Sequence, residues 1–155
     1  MFLKYLIVFF VSMIPIIELR GAIPIAVGMK LPTIPSFIIA IIGNMVPVPF
    51  IFLFARRILE WGKDKKIIGG ICNFFLKKGT KAGDKLEKNM GKGLFVALML
   101  FVGIPLPGTG AWTGTLAASL LDFDFKKTTI SVLAGVLLAG IIMMSLSILG
   151  INIFS

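Results

Sequence analysis

Four apolar stretches run along the chain, and two of them are broken near their middle; no other feature restricts its fold so strongly. A simple membrane crossing needs about 20 apolar residues in a helix that rises about 1.5 Å per residue. Residues 34–55 and 129–153 meet that length. Residues 2–17 and 22–29 instead flank Glu18-Leu19-Arg20-Gly21, and residues 94–104 and 111–121 flank Pro105-Leu106-Pro107-Gly108-Thr109-Gly110. Each half reaches only to about mid-bilayer. Two prolines one residue apart, followed by Gly-Thr-Gly, remove N–H donors and admit positive φ, so a turn is predicted at 105–110. Pro15 and Pro24 bracket the first charged motif in the same way, with a kinked helix as the other reading there. As re-entrant hairpins, both segments enter and leave on one side. Their tips then lie in protein or water, because lipid leaves freed backbone groups unpaired.

The predicted fold is an all-α integral membrane protein, an inverted repeat of re-entrant helical hairpin plus transmembrane helix. Residues 1–155 form one membrane domain. The first repeat is 1–55 (hairpin 2–29, helix 34–55), a basic linker covers 56–92, and the second repeat is 93–155 (hairpin 94–121, helix 129–153). One crossing between the hairpins puts them on opposite faces, which inverts the halves. Residue similarity between them is an Ile-Pro pair in each hairpin, Ile23-Pro24 and Ile104-Pro105, with small residues near each tip. A 57% hydrophobic content, 14 Phe and a mean hydropathy of +1.02 exclude a soluble domain of this size. Residues 1–13 have one Lys and an apolar run, but no A-x-A cleavage site follows, and they are read as retained structure.

Charge tests the topology without using length. Of 16 Lys and Arg, 11 lie within residues 56–92. With two hairpins, these share a face with Lys126-Lys127. The positive-inside rule makes that face cytoplasmic, with both termini outside, in the cytoplasmic membrane. Four full crossings would separate Lys126-Lys127 from the linker and weaken the asymmetry. Within the linker, Ile67, Ile68, Ile71, Phe74 and Phe75 recur at near-helical spacing among Lys65, Lys66, Lys77 and Lys78. That pattern suits a helix in an anionic headgroup layer, or else a solvated connector, and Gly69-Gly70 and the glycines of 79–83 limit any helix. The net charge of +9 therefore points to membrane lipid as partner rather than nucleic acid.

A single cysteine, Cys72, and the absence of His exclude a disulfide framework and the usual metal ligand sets, and no cofactor is expected. No Gly-x-Ser-x-Gly, Walker A or paired carboxylate occurs in the apolar segments, so an enzyme is not expected. Ala134, Gly135, Ala139 and Gly140 carry small-xxx-small spacing, which fits close helix packing within the chain or in a homodimer.

Glu18 and Arg20 are the sharpest chemical signal. An ionisable side chain at membrane depth costs at least about 2.5 kcal/mol and marks a pathway or a bundle interior. The structural readings are a buried pair or snorkelling to an interface. On a helix, residues i and i+2 point apart; in an irregular tip the two converge, or Arg20 stays open to an anion while Glu18 carries a proton. The second tip brings the amides of Gly108 and Gly110, the hydroxyls of Thr109 and Thr113 and the Trp112 indole to the start of a half-helix, where N–H groups and the dipole attract anions. A tight turn with Trp112 as an interfacial residue is the alternative. Asn44 lies just before Pro47, which deprives the Gly43 carbonyl of its helical donor; Asn44 either satisfies that group or touches a ligand. The candidate binding set is Glu18, Arg20, Asn44, Thr109, Gly110, Trp112 and Thr113, with Pro15, Gly21, Pro24, Pro105, Pro107 and Gly108 shaping the tips. Asp122 and Asp124 read as interfacial residues ending the second hairpin.

Glu18-Leu19-Arg20-Gly21-Ala22-Ile23-Pro24 and Pro105-Leu106-Pro107-Gly108-Thr109-Gly110-Ala111-Trp112 together resemble the signatures of the small multidrug export protein family, over nearly the whole chain. That family is similar, at a distance, to the DedA/VTT superfamily, whose members are inverted repeats of a re-entrant hairpin plus a membrane helix, and the resemblance implies that topology here. It also implies a transporter. DedA-like relatives are associated with moving phospholipids or polyprenyl phosphate carriers, so Glu18 would be the proton-linked acid and Arg20 the phosphate-binding base. The chain departs from them in having one acidic residue within its apolar segments where DedA proteins generally have more, which bears on proton coupling. Two substrate classes follow: amphipathic small molecules, often cationic, with Glu18 as counter-charge, or an anionic lipid headgroup held by Arg20 and the half-helix N-terminus. The non-transport alternative is a membrane scaffold whose Glu18/Arg20 motif pairs with another membrane protein.

Overall fold

The structure, a computed structural model, describes residues 1–65, 69–88, 93–121 and 123–154. Ile67, Ile68, Lys66 and Asp122 lie outside the described residues. The regular elements are α1 (Phe2–Met13), α2 (Glu18–Gly28), α3 (Thr33–Met45), α4 (Pro47–Phe50), a π-helical segment (Ile51–Ala55), α5 (Arg56–Gly62), α6 (Gly69–Lys88), α7 (Leu94–Gly103), α8 (Ala111–Leu120) and α9 (Phe125–Phe154). Among the described residues, two stretches are long and apolar enough to cross a membrane: Thr33–Phe54, of 22 residues, and Phe125–Gly150, of 26. Phe2, Phe10, Ile38, Ile42, Phe50, Leu53, Ile141 and Leu149 are all exposed. An apolar exterior of this extent belongs in lipid rather than water, and the chain is a membrane protein.

Each broken segment doubles back on itself. At the open end of the first, Lys4 Nζ donates to the Met29 carbonyl at 3.3 Å, so the start of α1 lies beside the end of α2. In the second, Gly114 of α8 lies so close to α7 that a Cβ there would sit 2.7 Å from Val102 Cγ2 and 3.3 Å from Leu98 Cδ1. Both first arms end for the same reason. The residue before a proline is pushed out of helical space by the proline ring; Ile14 (φ −70°, ψ 129°) precedes Pro15 and Ile104 (φ −81°, ψ 120°) precedes Pro105.

The first break therefore lies at 14–17 and not at Glu18–Gly21 as the sequence reading placed it. Ile16 and Glu18 take left-handed backbone, φ 77° and 50°, and from Glu18 onward the chain is α-helical. Pro24, expected to bracket the motif, is inside α2, where it deprives only the Arg20 carbonyl of a helical donor. The second break is the predicted turn: Gly108 and Gly110 have φ 85° and 134°, and α8 begins at Ala111.

The helices pack in matching pairs. On α3, Gly43 lets α1 approach until a Cβ would lie 2.5 Å from the Phe9 carbonyl oxygen and would overlap Ser12 Oγ. On α9, Gly135 does the same for α7, with a Cβ 2.7 Å from the Met99 carbonyl oxygen and 2.7 Å from Val102 Cβ. α2 then lies against α9, with Leu19 near Gly140, while α8 lies against the π-helical continuation of α3, where Ser119 Oγ donates to the Phe52 carbonyl at 2.7 Å. Pro47 and Pro49 remove the N–H donors of the Gly43 and Met45 carbonyls just before that segment, and Ser119 adds a side-chain bond further along, at Phe52. Leu19, Ile23, Leu98, Val102, Val132 and Val136 form the buried centre.

Among the described residues, the linker holds two helices, α5 and α6. α6 runs through Gly70, Gly79 and Gly83, glycines expected to limit it, because it packs along α8 and α5 instead of standing alone. Asp124 caps α9, its Oδ2 accepting from Lys127 N at 2.9 Å, so it starts a helix rather than ending one.

Candidate functional site

Because Glu18 and Arg20 fall in the first turns of one helix, they point apart, and at the tip of the second hairpin each meets the end of a different helix. The Glu18 carboxylate sits on the first turn of α8: Oε2 accepts from Ala111 N at 3.2 Å and Oε1 from Trp112 N at 3.0 Å. Those amides have no partner within α8, and the positive end of its dipole faces the carboxylate. Glu18 thus caps a helix that belongs to the other hairpin.

Arg20 does the converse at the end of α7. Its Nη1 donates to the Leu106 carbonyl at 2.6 Å, and its Nη2 to Thr109 Oγ1 at 2.8 Å, the Ile104 carbonyl at 3.3 Å and the Val102 carbonyl at 3.4 Å. The Val102 carbonyl is one of the orphaned groups of a helix C-terminus, since Leu106 N, its regular donor, turns to Ile104 O at 2.8 Å. Thr109 Oγ1 braces the same loop by donating toward Leu106 O at 2.8 Å or Ile104 O at 3.0 Å. In return, the Trp112 indole Nε1 donates to Met13 O, a terminal carbonyl of α1, at 3.1 Å. The two tips are therefore interlocked by charge-matched helix ends. Gly110 is obligatory at this junction, since a Cβ would fall onto the Glu18 carboxylate and its φ of 134° disfavours other residues.

Beside the interlock opens a cavity of about 780 Å³. Of the candidates, Glu18, Arg20, Thr109, Trp112 and Thr113 line it, along with Pro15, Pro105, Pro107 and Gly108. Gly21, Pro24 and Gly110 do not, although Gly110 abuts the carboxylate. Asn44 is buried in α3 beside Gly43, is not among the lining residues, and its Oδ1 has no hydrogen-bond partner among the described residues. The rest of the wall is apolar, with Ile51, Ile58, Ile71 and Leu116 prominent, and Lys78 of α6 joins it. Sequence reasoning missed Lys78. Its seven-residue spacing from Ile71 was the available signal, since it puts both on one face of a helix.

Compared with known proteins, residues 18–142 match the family described as "Putative small multi-drug export protein". No curated protein and no solved structure matches the chain. The match begins at Glu18, just after the first break, and includes Arg20, the whole second tip, all of α6 and most of α9.

Proposed function

Since the chain belongs to the small multi-drug export family, we propose that it is a membrane transporter whose substrate site is the cavity beside the interlocked tips. One observation carries this reading. The only acidic residue in the apolar segments and the arginine two positions later both cross to the opposite hairpin, and both border a cavity large enough for a small amphipathic molecule. The proposal includes hairpins entering from opposite faces of the cytoplasmic membrane, the linker on the cytoplasmic side and both termini outside. The paired contacts of Gly43 with α1 and Gly135 with α7 support an inverted repeat of this kind.

Transport through such a site needs the tips to part and re-form. Glu18 is the group through which a proton would act: protonating it weakens its hold on the Ala111 and Trp112 amides and so frees the start of α8. The substrate is a small amphipathic or phosphate-bearing, lipid-like molecule, in keeping with an apolar wall that carries a few charged groups.

The test is flux of fluorescent amphiphiles into proteoliposomes, with and without a pH gradient. The wild-type chain is expected to carry flux that the gradient accelerates. Glu18→Gln is expected to abolish the acceleration, and Arg20→Ala to lower flux in both conditions. Saturable binding without flux under any gradient would refute transport in favour of a scaffold.

A further inference from the structure

We propose that Lys78, on the linker helix α6, selects the charge of the cavity's occupant, and that this occupant is an amphiphile with one anionic head group. The inference rests on reading the cavity as a substrate site and deepens that reading.

Among the described residues, three charged side chains reach the cavity, and two of them are committed to hydrogen bonds within the protein. Both carboxylate oxygens of Glu18 accept backbone amides, and both terminal nitrogens of Arg20 are spread over four oxygens of the second tip. Lys78 differs. Among the described residues its ammonium makes no hydrogen bond; it lies 5.8 Å from the centroid of the Phe74 ring, one turn earlier on α6. A lysine ammonium has three N–H donors and no acceptor, so a ring face leaves it able to take a hydrogen-bonding anion.

Its position also differs from that of the neighbouring lysines Lys77 and Lys81. Lys77 and Lys81 are exposed, as expected of residues facing headgroups or water, whereas Lys78 is half-buried. Its stem passes the second tip, where a Cβ on Gly108 would be 3.6 Å from Lys78 Cε. The helix read from sequence as a membrane-surface anchor is thus also a wall of the cavity, and it turns one of its lysines inward.

The lining charge settles the sign of the ligand. Arg20 and Lys78 against Glu18 leave the wall with a net single positive charge, and protonating Glu18 makes it doubly positive. A cationic amphiphile would meet Lys78 with Glu18 already engaged by α8. An anionic head placed at Lys78 gains a charge-assisted hydrogen bond, while Ile51, Ile58, Ile71 and Leu116 receive its hydrocarbon.

The experiment uses the full chain in phosphatidylcholine nanodiscs. With Trp61→Phe, Trp112 in the cavity wall is the sole tryptophan of the two in the chain. Laurate, dodecyltrimethylammonium and dodecanol share a chain length and differ in head charge, and each is titrated against Trp112 emission. Laurate is expected to give a saturable change that Lys78→Gln weakens at least tenfold and Lys78→Arg leaves within threefold. Dodecyltrimethylammonium and dodecanol are expected to give no saturable change. An unaltered Trp112 emission maximum in ligand-free Lys78→Gln verifies that the cavity is intact. Equal laurate affinity in Lys78→Gln, or saturable binding of the ammonium compound tighter than that of laurate, would overturn the inference. Adding phosphatidylglycerol to the nanodiscs identifies the source: competition with laurate assigns the site to a bilayer lipid headgroup, and no competition assigns it to a free anion. Because binding is read without flux, absent flux with Lys78-dependent laurate binding sinks transport alone. Intact flux with Lys78-independent binding sinks this inference alone.

Discussion

Arg20→Ala gives the strongest test of the interlock from stability alone. The substitution deletes two short hydrogen bonds, at 2.6 Å to Leu106 O and 2.8 Å to Thr109 Oγ1, and two long ones at 3.3 and 3.4 Å. Measured polar contacts inside membrane proteins average about 0.6 kcal/mol and reach about 1.7 kcal/mol. The two short bonds then contribute about 1–3 kcal/mol. Loss of the long bonds is softened at Ile104 O, which also accepts from Leu106 N at 2.8 Å, but not at Val102 O, whose regular donor has turned away. Unfolding in mixed micelles, followed by Trp112 fluorescence, should show Arg20→Ala destabilised by about 1–3 kcal/mol and Arg20→Lys by roughly half as much, since an ammonium keeps part of the donor set. A double-mutant cycle with Thr109→Val should return a coupling near 1 kcal/mol. If Arg20→Ala unfolds within about 0.5 kcal/mol of wild type, or the cycle shows no coupling, Arg20 does not hold the tips together.

Gly43→Ala and Gly135→Ala should each destabilise by about 1–3 kcal/mol in the same unfolding assay, because a methyl would press on the Phe9 and Met99 carbonyls respectively; neutrality at either would mean that the two close approaches are not equivalent. Thr115→Val should stabilise by about 1 kcal/mol, since the Thr115 hydroxyl is buried with no hydrogen-bond partner among the described residues and an apolar group there removes an unmet demand. A loss of stability in that variant would reveal a partner for the hydroxyl.

Local backbone chemistry was the most legible part of the fold. Pro105-Leu106-Pro107-Gly108 removes donors and permits positive φ within four residues, and the turn lies where that chemistry puts it. The first break was displaced by attention to charge. Glu18 and Arg20 look like an interruption in an apolar run, yet charge does not stop a helix, whereas Ile14-Pro15 does. Recognising Ile14-Pro15 would also have aligned the first tip with Ile104-Pro105, a match the Ile23-Pro24 pairing obscured. Left-handed φ at Ile16 and Glu18 had no sequence signal, since neither residue type favours it.

At the site, residue identity was legible and partnership was not. Glu18, Arg20 and the Thr109–Thr113 stretch stood out as polar or glycine-rich elements in apolar sequence, but that each charge would cap a helix of the other hairpin depends on contacts across more than 80 residues. Lys78 was hidden among the linker's other lysines because composition treats them alike; it is the packing of α6 along α8 that turns Lys78 inward. Gly43 and Gly135 were likewise separable from other small residues only by the carbonyl each one meets.

The most direct test of two hairpins entering from opposite faces to meet at their tips is sidedness. Cysteines placed singly at Lys30 and at Lys126, in a Cys72→Ser background, are labelled with a membrane-impermeant maleimide in sealed vesicles of known orientation. Labelling of the two positions from opposite sides is the expected result. Labelling of both from the same side would mean that the broken segments run through the membrane, and the shared site would be lost.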